Sequence, residues 1–129
     1  MRILLDTSVI IDLAVVDLGR FEAAEPVVSA VSVAELAFGL DIDDPIERRA
    51  RAERYQVVRE QLAVLDFDLR AAEIYGTMAA VIRRNGHNPR PRRMDLQIAA
   101  TAAAHSIPLL TRDASGFSGL DRLLEVAVV

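Results

Sequence analysis

Apolar residues occur in this chain in two patterns: short continuous runs, and longer stretches in which they recur at helical spacing. The short runs predict strands at residues 2–5, 26–31, 64–67, 108–111 and, more weakly patterned, 124–128. The longer stretches predict helices at residues 7–16, 32–40, 46–65, 68–84 and 95–105. Because strands alternate with helices, the pattern predicts an α/β fold with a mostly parallel sheet of four or five strands, covered by helices on both faces.

Local residues predict where several of these helices begin and end. Ser32 is followed three positions later by Glu35, which is a capping-box pattern and predicts a helix that starts at Ser32. Asp44-Pro45 predicts an N-cap with proline at the first helical position, and Asp68 predicts the cap of a later helix. The segment 85–93 contains Asn-Gly and two prolines, so it is predicted to end that helix and form a loop.

Length and composition predict a single domain over residues 1–129. A chain of 129 residues is large enough to build a core without covalent staples. The absence of cysteine excludes disulfides, thiolate zinc sites and thiol nucleophiles, and it suits a cytoplasmic protein. The first residues show no signal-peptide pattern, and no apolar run is long enough to span a membrane.

Four acidic residues fall at corresponding places relative to the predicted sheet. Asp6 ends the first strand, and Glu35 lies in the first turn of the helix after the second strand. Asp95 lies in the first turn of the helix before the fourth strand, and Asp113 follows the end of that strand. Ligands of open parallel sheets bind beyond the carboxyl ends of the strands, so the four carboxylates are expected to gather there.

Each of these acids also has an ordinary structural explanation. Glu35 could complete the capping box begun by Ser32, and Asp95 could favour the positive end of its helix dipole. Asp6 and Asp113 could be turn or cap residues. As a group, however, crowded carboxylates repel one another, and a bound divalent cation is the usual way to offset that repulsion. Oxygen ligands without cysteine or paired histidines favour Mg²⁺ or Mn²⁺ over zinc.

Several other classes of active site are excluded because the chain lacks residues that they require. All 15 basic residues are arginine, so mechanisms that need lysine, including the phosphate-binding P-loop, are excluded. No G-x-S-x-G elbow of a serine hydrolase is present. His87 and His105 form no H-x-x-x-H pair and are interpreted as structural or exposed residues.

Four short segments, taken in order, resemble the PIN-domain nucleases, and specifically the VapC-type toxins of type II toxin–antitoxin systems. They are Leu5-Asp6-Thr7-Ser8, then 32–36 (SVAEL), then 95–102 (DLQIAATA), and finally 110–113 (LTRD). Their order and spacing match the family over essentially the whole chain. The resemblance implies a three-layer α/β/α sandwich and an endoribonuclease activity that depends on Mg²⁺ or Mn²⁺.

The resemblance also implies particular roles for residues. Asp6, Glu35, Asp95 and Asp113 would be the catalytic acids, with Asp6, Asp95 and Asp113 as metal ligands. Ser8 and Thr111 would supply hydroxyl groups that order the site. Many relatives carry a further aspartate before a phenylalanine near the C-terminus, where this chain has Gly116 before Phe117, so a complete second metal site is not expected from the sequence. The implied partners are a small antitoxin, an RNA substrate and a second copy of the chain in a homodimer.

Local positive charge is concentrated just before Asp95. Five arginines and no acid lie between residues 83 and 93, although the net charge of the chain is −4. Arg90, Arg92 and Arg93 are therefore predicted to bind RNA phosphates, with a solvated loop or a protein contact as the alternatives. The arginines of the 46–65 helix alternate with glutamates and are interpreted as a solvated face.

The function predicted from the sequence is that of a metal-dependent endoribonuclease that hydrolyses RNA phosphodiester bonds as the toxin of a toxin–antitoxin pair. The alternative is a catalytically silent PIN-like module that binds RNA or a protein. An intact set of four acids favours the enzyme, because a binding module would not need them.

Overall fold

The central sheet has five strands, all parallel. The computed structural model describes residues 1–129, and the strands are β1 (Arg2–Leu5), β2 (Glu25–Ser29), β3 (Ala63–Leu65), β4 (Leu109–Thr111) and β5 (Val126–Val128). Their order across the sheet is β3-β2-β1-β4-β5, so β1 lies at the centre. Leu4 of β1 is opposite Val27 of β2 and Leu109 of β4. The predicted α/β fold with a parallel sheet is confirmed, and the fifth strand is present.

Five α-helices connect the strands. They are α1 (Thr7–Ile11), α2 (Ala30–Phe38), α3 (Pro45–Gln61), α4 (Leu69–Arg84) and α5 (Arg93–Ala104). Short 3₁₀ turns at Gly19–Phe21, Arg90–Arg92 and Ser115–Phe117 complete the connections. No helix is both long enough and apolar enough to cross a bilayer.

Alternate side chains of the strands build a core on each face of the sheet. Leu4 packs on one face with residues of α4 and α5, such as Met78 and Leu96. Ile3 and Leu5 belong to the other core, with residues of α1 and α3. Since adjacent residues of a strand point to opposite faces, Ile3, Leu4 and Leu5 must all be apolar to serve both cores. The result is the predicted three-layer α/β/α sandwich.

The first helix is shorter than predicted. It ends at Ile11 instead of continuing to residue 16. Val15 is 80% exposed, so continuing the helix would gain little apolar burial there. β-Branched residues favour helices only weakly, and packing of an apolar face supplies most of the stability of a helix.

The predicted capping box is wrong, because α2 begins earlier. The buried hydroxyl of Ser29 accepts a hydrogen bond from the Val31 N–H at 3.0 Å and makes Ser29 the N-cap. The strand β2 therefore ends at Ser29, and Ser32 lies inside the helix. Glu35 consequently lies in the second turn of α2 and not in the first. Because of this shift, Ser32 and Glu35 both contact Thr7, which the capping-box pattern does not predict.

The other predicted caps are confirmed, and α3 shows a narrower buried face than its apolar residues suggested. Asp44 accepts a hydrogen bond from the Ile46 N–H, and Asp68 accepts one from the Ala71 N–H. Ile46, however, is 82% exposed, whereas Val58 is buried against the sheet. The C-terminal half of α3 therefore supplies most of its contact with the core.

Candidate active site

Asp6 is held rigidly at the carboxyl end of the central strand. It is the N-cap of α1, and its Oδ1 accepts a hydrogen bond from the Thr7 N–H at 2.9 Å. Its Oδ2 accepts hydrogen bonds from the hydroxyls of Thr111, at 2.8 Å, and Ser8, at 3.0 Å. Only 7% of Asp6 is exposed. The hydroxyls of Ser8 and Thr111 thus fix the orientation of a buried carboxylate.

A second chain of hydrogen bonds positions Glu35. The Thr7 hydroxyl donates to Oε1 of Glu35 at 2.9 Å, and Oγ of Ser32 lies 3.0 Å from Oγ1 of Thr7. Because the single hydroxyl proton of Thr7 is used toward Glu35, Ser32 is the donor in the second contact. Thr7 and Ser32 therefore link α1 to α2 across the site. The sequence marked Ser32 only as a cap and gave no signal that Thr7 would contact Glu35.

Asp6, Glu35 and Asp95 are electrostatically coupled. Burial raises the pKa of Glu35, and the charges of Asp95 and Asp6 raise it further, against the hydrogen bond from Thr7. Burial likewise raises the pKa of Asp95, with the charge of Asp6 adding to the effect and that of Arg92 opposing it. No arginine forms an ion pair with any of the three. The fold thus assembles three carboxylates without a counter-charge within contact distance.

This coupling predicts how stability depends on pH in the absence of metal. A carboxyl group whose pKa is raised by folding binds protons more tightly in the native state, so its ionisation destabilises the fold. We therefore expect Asp95→Asn to raise the free energy of unfolding at neutral pH. The gain should shrink as the pH falls toward the ordinary aspartate value of 3.8, where the native carboxyl is already protonated. Urea unfolding at several pH values measures this, and a gain that grows toward acid pH would contradict it.

Asp113 lies apart from the other three acids. It is exposed, in the segment that follows β4, and its Oδ1 accepts a hydrogen bond from the Ser115 N–H at 2.9 Å. The pKa of Asp113 is lowered, first by the backbone and side-chain hydrogen bonds from Ser115 and then by the charge of Arg92. None of the other acids contributes to that shift. Asp113 is thus placed at the rim of the site, where its backbone N–H donates a hydrogen bond to the Thr111 hydroxyl at 3.3 Å.

The acids do not form a ready-made coordination shell. No group of three acidic or histidine side chains lies close enough together to hold an ion as the side chains stand. The chemistry of the donors nevertheless fits a hard cation, since all are carboxylate oxygens and their mutual repulsion is not offset by any ion pair. Mg²⁺ usually takes only one or two carboxylates directly and keeps several of its waters, so it does not need a complete protein shell.

A cleft beside Glu35 is lined by two arginines of α3, a helix whose charge pattern predicts an ordinary solvated face. Its volume is about 340 Å³, and it is lined by Thr7, Glu35, Arg51 and Arg54 among others. Arg51 is held by Glu47 at 3.0 Å and by the Gly39 carbonyl at 2.9 Å. Arg54 takes part in none of the ion pairs of the chain. The charge pattern of α3 could not show this, because the cleft exists only where α3 packs beside α2.

Of the three arginines before and at the start of α5, only Arg92 affects the pKa of the acids. Arg90, Arg92 and Arg93 are all exposed, and Arg90 and Arg92 lie in the 3₁₀ turn that leads into α5. The charge of Arg92 lowers the pKa of Asp95 and that of Asp113, whereas Arg90 and Arg93 contribute to neither shift. His87 is exposed and His105 is the C-cap of α5, away from the three coupled acids.

Comparisons with known proteins agree on one family. The PIN domain family matches residues 3–123. The VapC ribonuclease Y4jK of Sinorhizobium fredii is 38% identical over 99 residues, which cover 72% of this chain and 69% of that protein.

Several solved structures share the fold of this chain over nearly their whole length. A VapBC-5 toxin–antitoxin structure from Mycobacterium tuberculosis is similar with a TM-score of 0.79 at 27% identity, covering 99% of this chain and 97% of that one. FitAcB from Neisseria gonorrhoeae is similar with a TM-score of 0.75 at 26% identity, covering 96% and 95% of the two chains. VapBC2 from Rickettsia felis, solved with a promoter DNA fragment, shares the fold at 19% identity with a TM-score of 0.79, covering 100% and 99%.

Proposed function

The chain belongs to the PIN-domain family, and from that premise we propose that it is a divalent-metal-dependent endoribonuclease that acts in the cytoplasm as the toxin of a toxin–antitoxin pair. The observation that carries the proposal is the coupled set of Asp6, Glu35 and Asp95, whose negative charges have no paired cation. A structural role would not require three half-buried or buried carboxylates to be brought together, because their repulsion costs stability.

We propose that Asp6, Asp95 and Asp113 hold Mg²⁺ or Mn²⁺. A bound divalent cation lowers the pKa of water and offsets the charge that develops on the phosphate. The hydroxyls of Ser8 and Thr111 keep one oxygen of Asp6 fixed, so that carboxylate needs little reorganisation on binding. Asp113 lies at the rim and can act from the side of the site that is open to solvent.

Glu35 is suited to proton transfer. Its pKa is raised by burial and by the neighbouring acids, which brings it closer to neutral pH and makes it a better proton acceptor. Thr7 donates to Oε1, which leaves Oε2 free to accept a proton from an attacking water. We therefore assign Glu35 as general base and the catalytic set as Asp6, Glu35, Asp95 and Asp113.

The RNA strand is proposed to reach this site along arginine side chains. Arg90 and Arg92 lie in the 3₁₀ turn before α5, and Arg93 is the first residue of that helix. Arg51 and Arg54 line the cleft beside Glu35. Local positive charge of this kind can bind phosphates even though the net charge of the protein is −4. A catalytically silent RNA- or protein-binding module is the alternative, and the coupled acids favour the enzyme over it.

We also propose a cognate antitoxin and a homodimer as the partners of the chain. The M. tuberculosis relative is by its name a member of the VapBC family of toxin–antitoxin systems. Several large apolar side chains of this chain are strongly exposed, among them Val15 at 80% and Phe38 at 81%. Where such residues adjoin one another, they form the kind of apolar patch that another chain covers. Size-exclusion chromatography with light scattering of the isolated protein should report the mass of a dimer.

Cleavage of RNA by the purified protein tests the proposed function. A 5′-labelled single-stranded RNA should be cut when Mg²⁺ or Mn²⁺ is present, remain intact with excess chelator, and be cut again when the ion is restored. Comparison of the two ions decides which one supports activity. Cleavage that persists in chelator would contradict the metal-dependent mechanism, and RNA binding without cleavage under every condition would favour the silent module.

A further inference from the structure

A second polar pocket is lined in part by the residues that follow Asp113. It has a volume of about 210 Å³ and lies between the loop before α5 and the 3₁₀ turn after β4. Its polar lining comes from His87, Asn88, Arg92, Ser115 and Ser118, together with Gly116. We call it the Arg92 pocket. Arginine is its only fully charged residue and no acid lines it, so it is a pocket for an anion and not for a cation.

Gly116 allows the Arg92 side chain to lie against the backbone. A Cβ atom built on Gly116 would collide with Nη1 of Arg92. The guanidinium therefore occupies space that any larger residue at this position would fill. Because the obstructing atom is the end of a flexible side chain, a substitution at Gly116 would displace Arg92 without disturbing the core.

The Arg92 guanidinium has no partner within the chain. The ion pairs of the protein are made by Arg20, Arg49, Arg51 and Arg112, and no hydrogen bond from the Arg92 side chain is present. The charge of Arg92 lowers the pKa of both Asp95 and Asp113, so the pocket borders the acids.

We propose that the Arg92 pocket binds a phosphate group of the RNA strand other than the one that is cleaved. A planar guanidinium can donate two parallel hydrogen bonds to phosphate oxygens, and the Ser118 hydroxyl and the His87 imidazole can add further donors. Arg92 precedes Asp95 by about one helical turn, so a single strand can occupy both sites with neighbouring phosphates. The inference rests on the proposed ribonuclease function and names a substrate contact for it.

Phosphate binding is tested first without RNA and without metal. Inorganic phosphate is titrated into the ¹⁵N-labelled protein, and the backbone amides of Ser115, Gly116 and Ser118 are followed by NMR. We expect saturable shifts that Arg92→Ala removes. Arg59→Ala is the matched control, because Arg59 is an exposed arginine of α3 in the layer across the sheet. Equal shifts in wild type and Arg92→Ala would overturn the site.

RNA binding is tested in a Glu35→Gln background with chelator, so that no cleavage occurs. Fluorescence anisotropy with a single-stranded RNA at several salt concentrations should show affinity lowered about five- to tenfold by Arg92→Ala, with the salt slope reduced by about 0.7. Gly116→Asp should have a similar effect, because its carboxylate would pair with the guanidinium and displace it. Arg59→Ala should leave the slope unchanged.

The two experiments separate the possible failures. If phosphate shifts are lost in Arg92→Ala but the RNA affinity and salt slope are not, the pocket binds a free anion and its assignment to RNA is overturned. If RNA binding depends on Arg92 but wild-type protein cuts no RNA with either ion, the phosphate site stands and the ribonuclease function fails.

Discussion

Asp95→Asn and Glu35→Gln should each lower the rate of RNA cleavage by at least about 100-fold while leaving the protein folded. Loss of a positioned proton-transfer group typically costs this much or more, and loss of a metal ligand removes the charge that offsets the phosphate. These two positions are cleaner tests than Asp6. The Asp6 carboxylate accepts hydrogen bonds from two hydroxyls through Oδ2, so an amide there would disrupt these contacts as well as remove a charge.

Asp66→Asn is the matched control for the acid variants. Asp66 also follows the carboxyl end of a parallel strand, but β3 is at the edge of the sheet and Asp66 is exposed. The control changes the same charge and should retain wild-type cleavage. Circular dichroism and thermal unfolding establish that each variant is folded. If Asp95→Asn and Asp66→Asn cleave RNA equally, the site assignment is wrong.

An arginine near the C-terminal end of the antitoxin should be responsible for inhibition, and its replacement by alanine should restore RNA cleavage within the complex. The coupled carboxylates have no paired cation, so a guanidinium entering the site would gain two strong hydrogen bonds and displace metal.

An apolar groove leads toward this site and could accept the tail that carries such an arginine. It has a volume of about 380 Å³ and is lined mostly by apolar residues of α1, α3 and the turn after α1, including Ile11, Leu13 and Val57. Ile11 and Arg54 line both this groove and the cleft beside Glu35, so the two lie side by side. Leu36 of α2 lines the cleft beside Glu35, whereas Val15, Val16 and Phe38 line neither the groove nor the cleft.

Cleavage within the complex measures the effect of the antitoxin arginine. Size-exclusion chromatography must show that the complex stays intact with the alanine variant, because dissociation alone would also restore activity. A lysine variant is the useful control, since it keeps the charge but loses the planar fork of donors. If an antitoxin without any basic residue in its tail inhibits equally well, steric blockade replaces metal displacement as the explanation.

The fold could be predicted from the sequence because its signals are local and repeated. Apolar runs such as 2–5 are buried on both faces of a parallel sheet, and Asp44 and Asp68 cap helices as their surroundings indicate. The start of α2 could not be predicted, because two serines three residues apart both suit an N-cap. Ser29 is the N-cap because β2 ends there, and its buried hydroxyl accepts a hydrogen bond from the Val31 N–H.

The proximity of Asp6, Glu35 and Asp95 could be predicted for the same reason. Strand ends meet at one edge of a parallel sheet, and this places Asp6 near Asp95 and Glu35. The contacts that orient these acids come from residues far apart in the chain, such as Thr7 with Glu35, and Asp6 with Thr111. No sequence pattern specifies such pairs. The position of Asp113 at the rim likewise depends on a local turn closed by Ser115.

Calorimetric titration of Mn²⁺ into the metal-free protein tests the central claim most directly, because it measures the binding of a divalent cation by these carboxylates without requiring the right RNA. Wild-type protein should bind the ion saturably, Asp6→Asn and Asp95→Asn should weaken binding sharply, and Asp66→Asn should bind as wild type does. Equal affinity for Mn²⁺ in wild type, Asp6→Asn and Asp95→Asn would contradict the account.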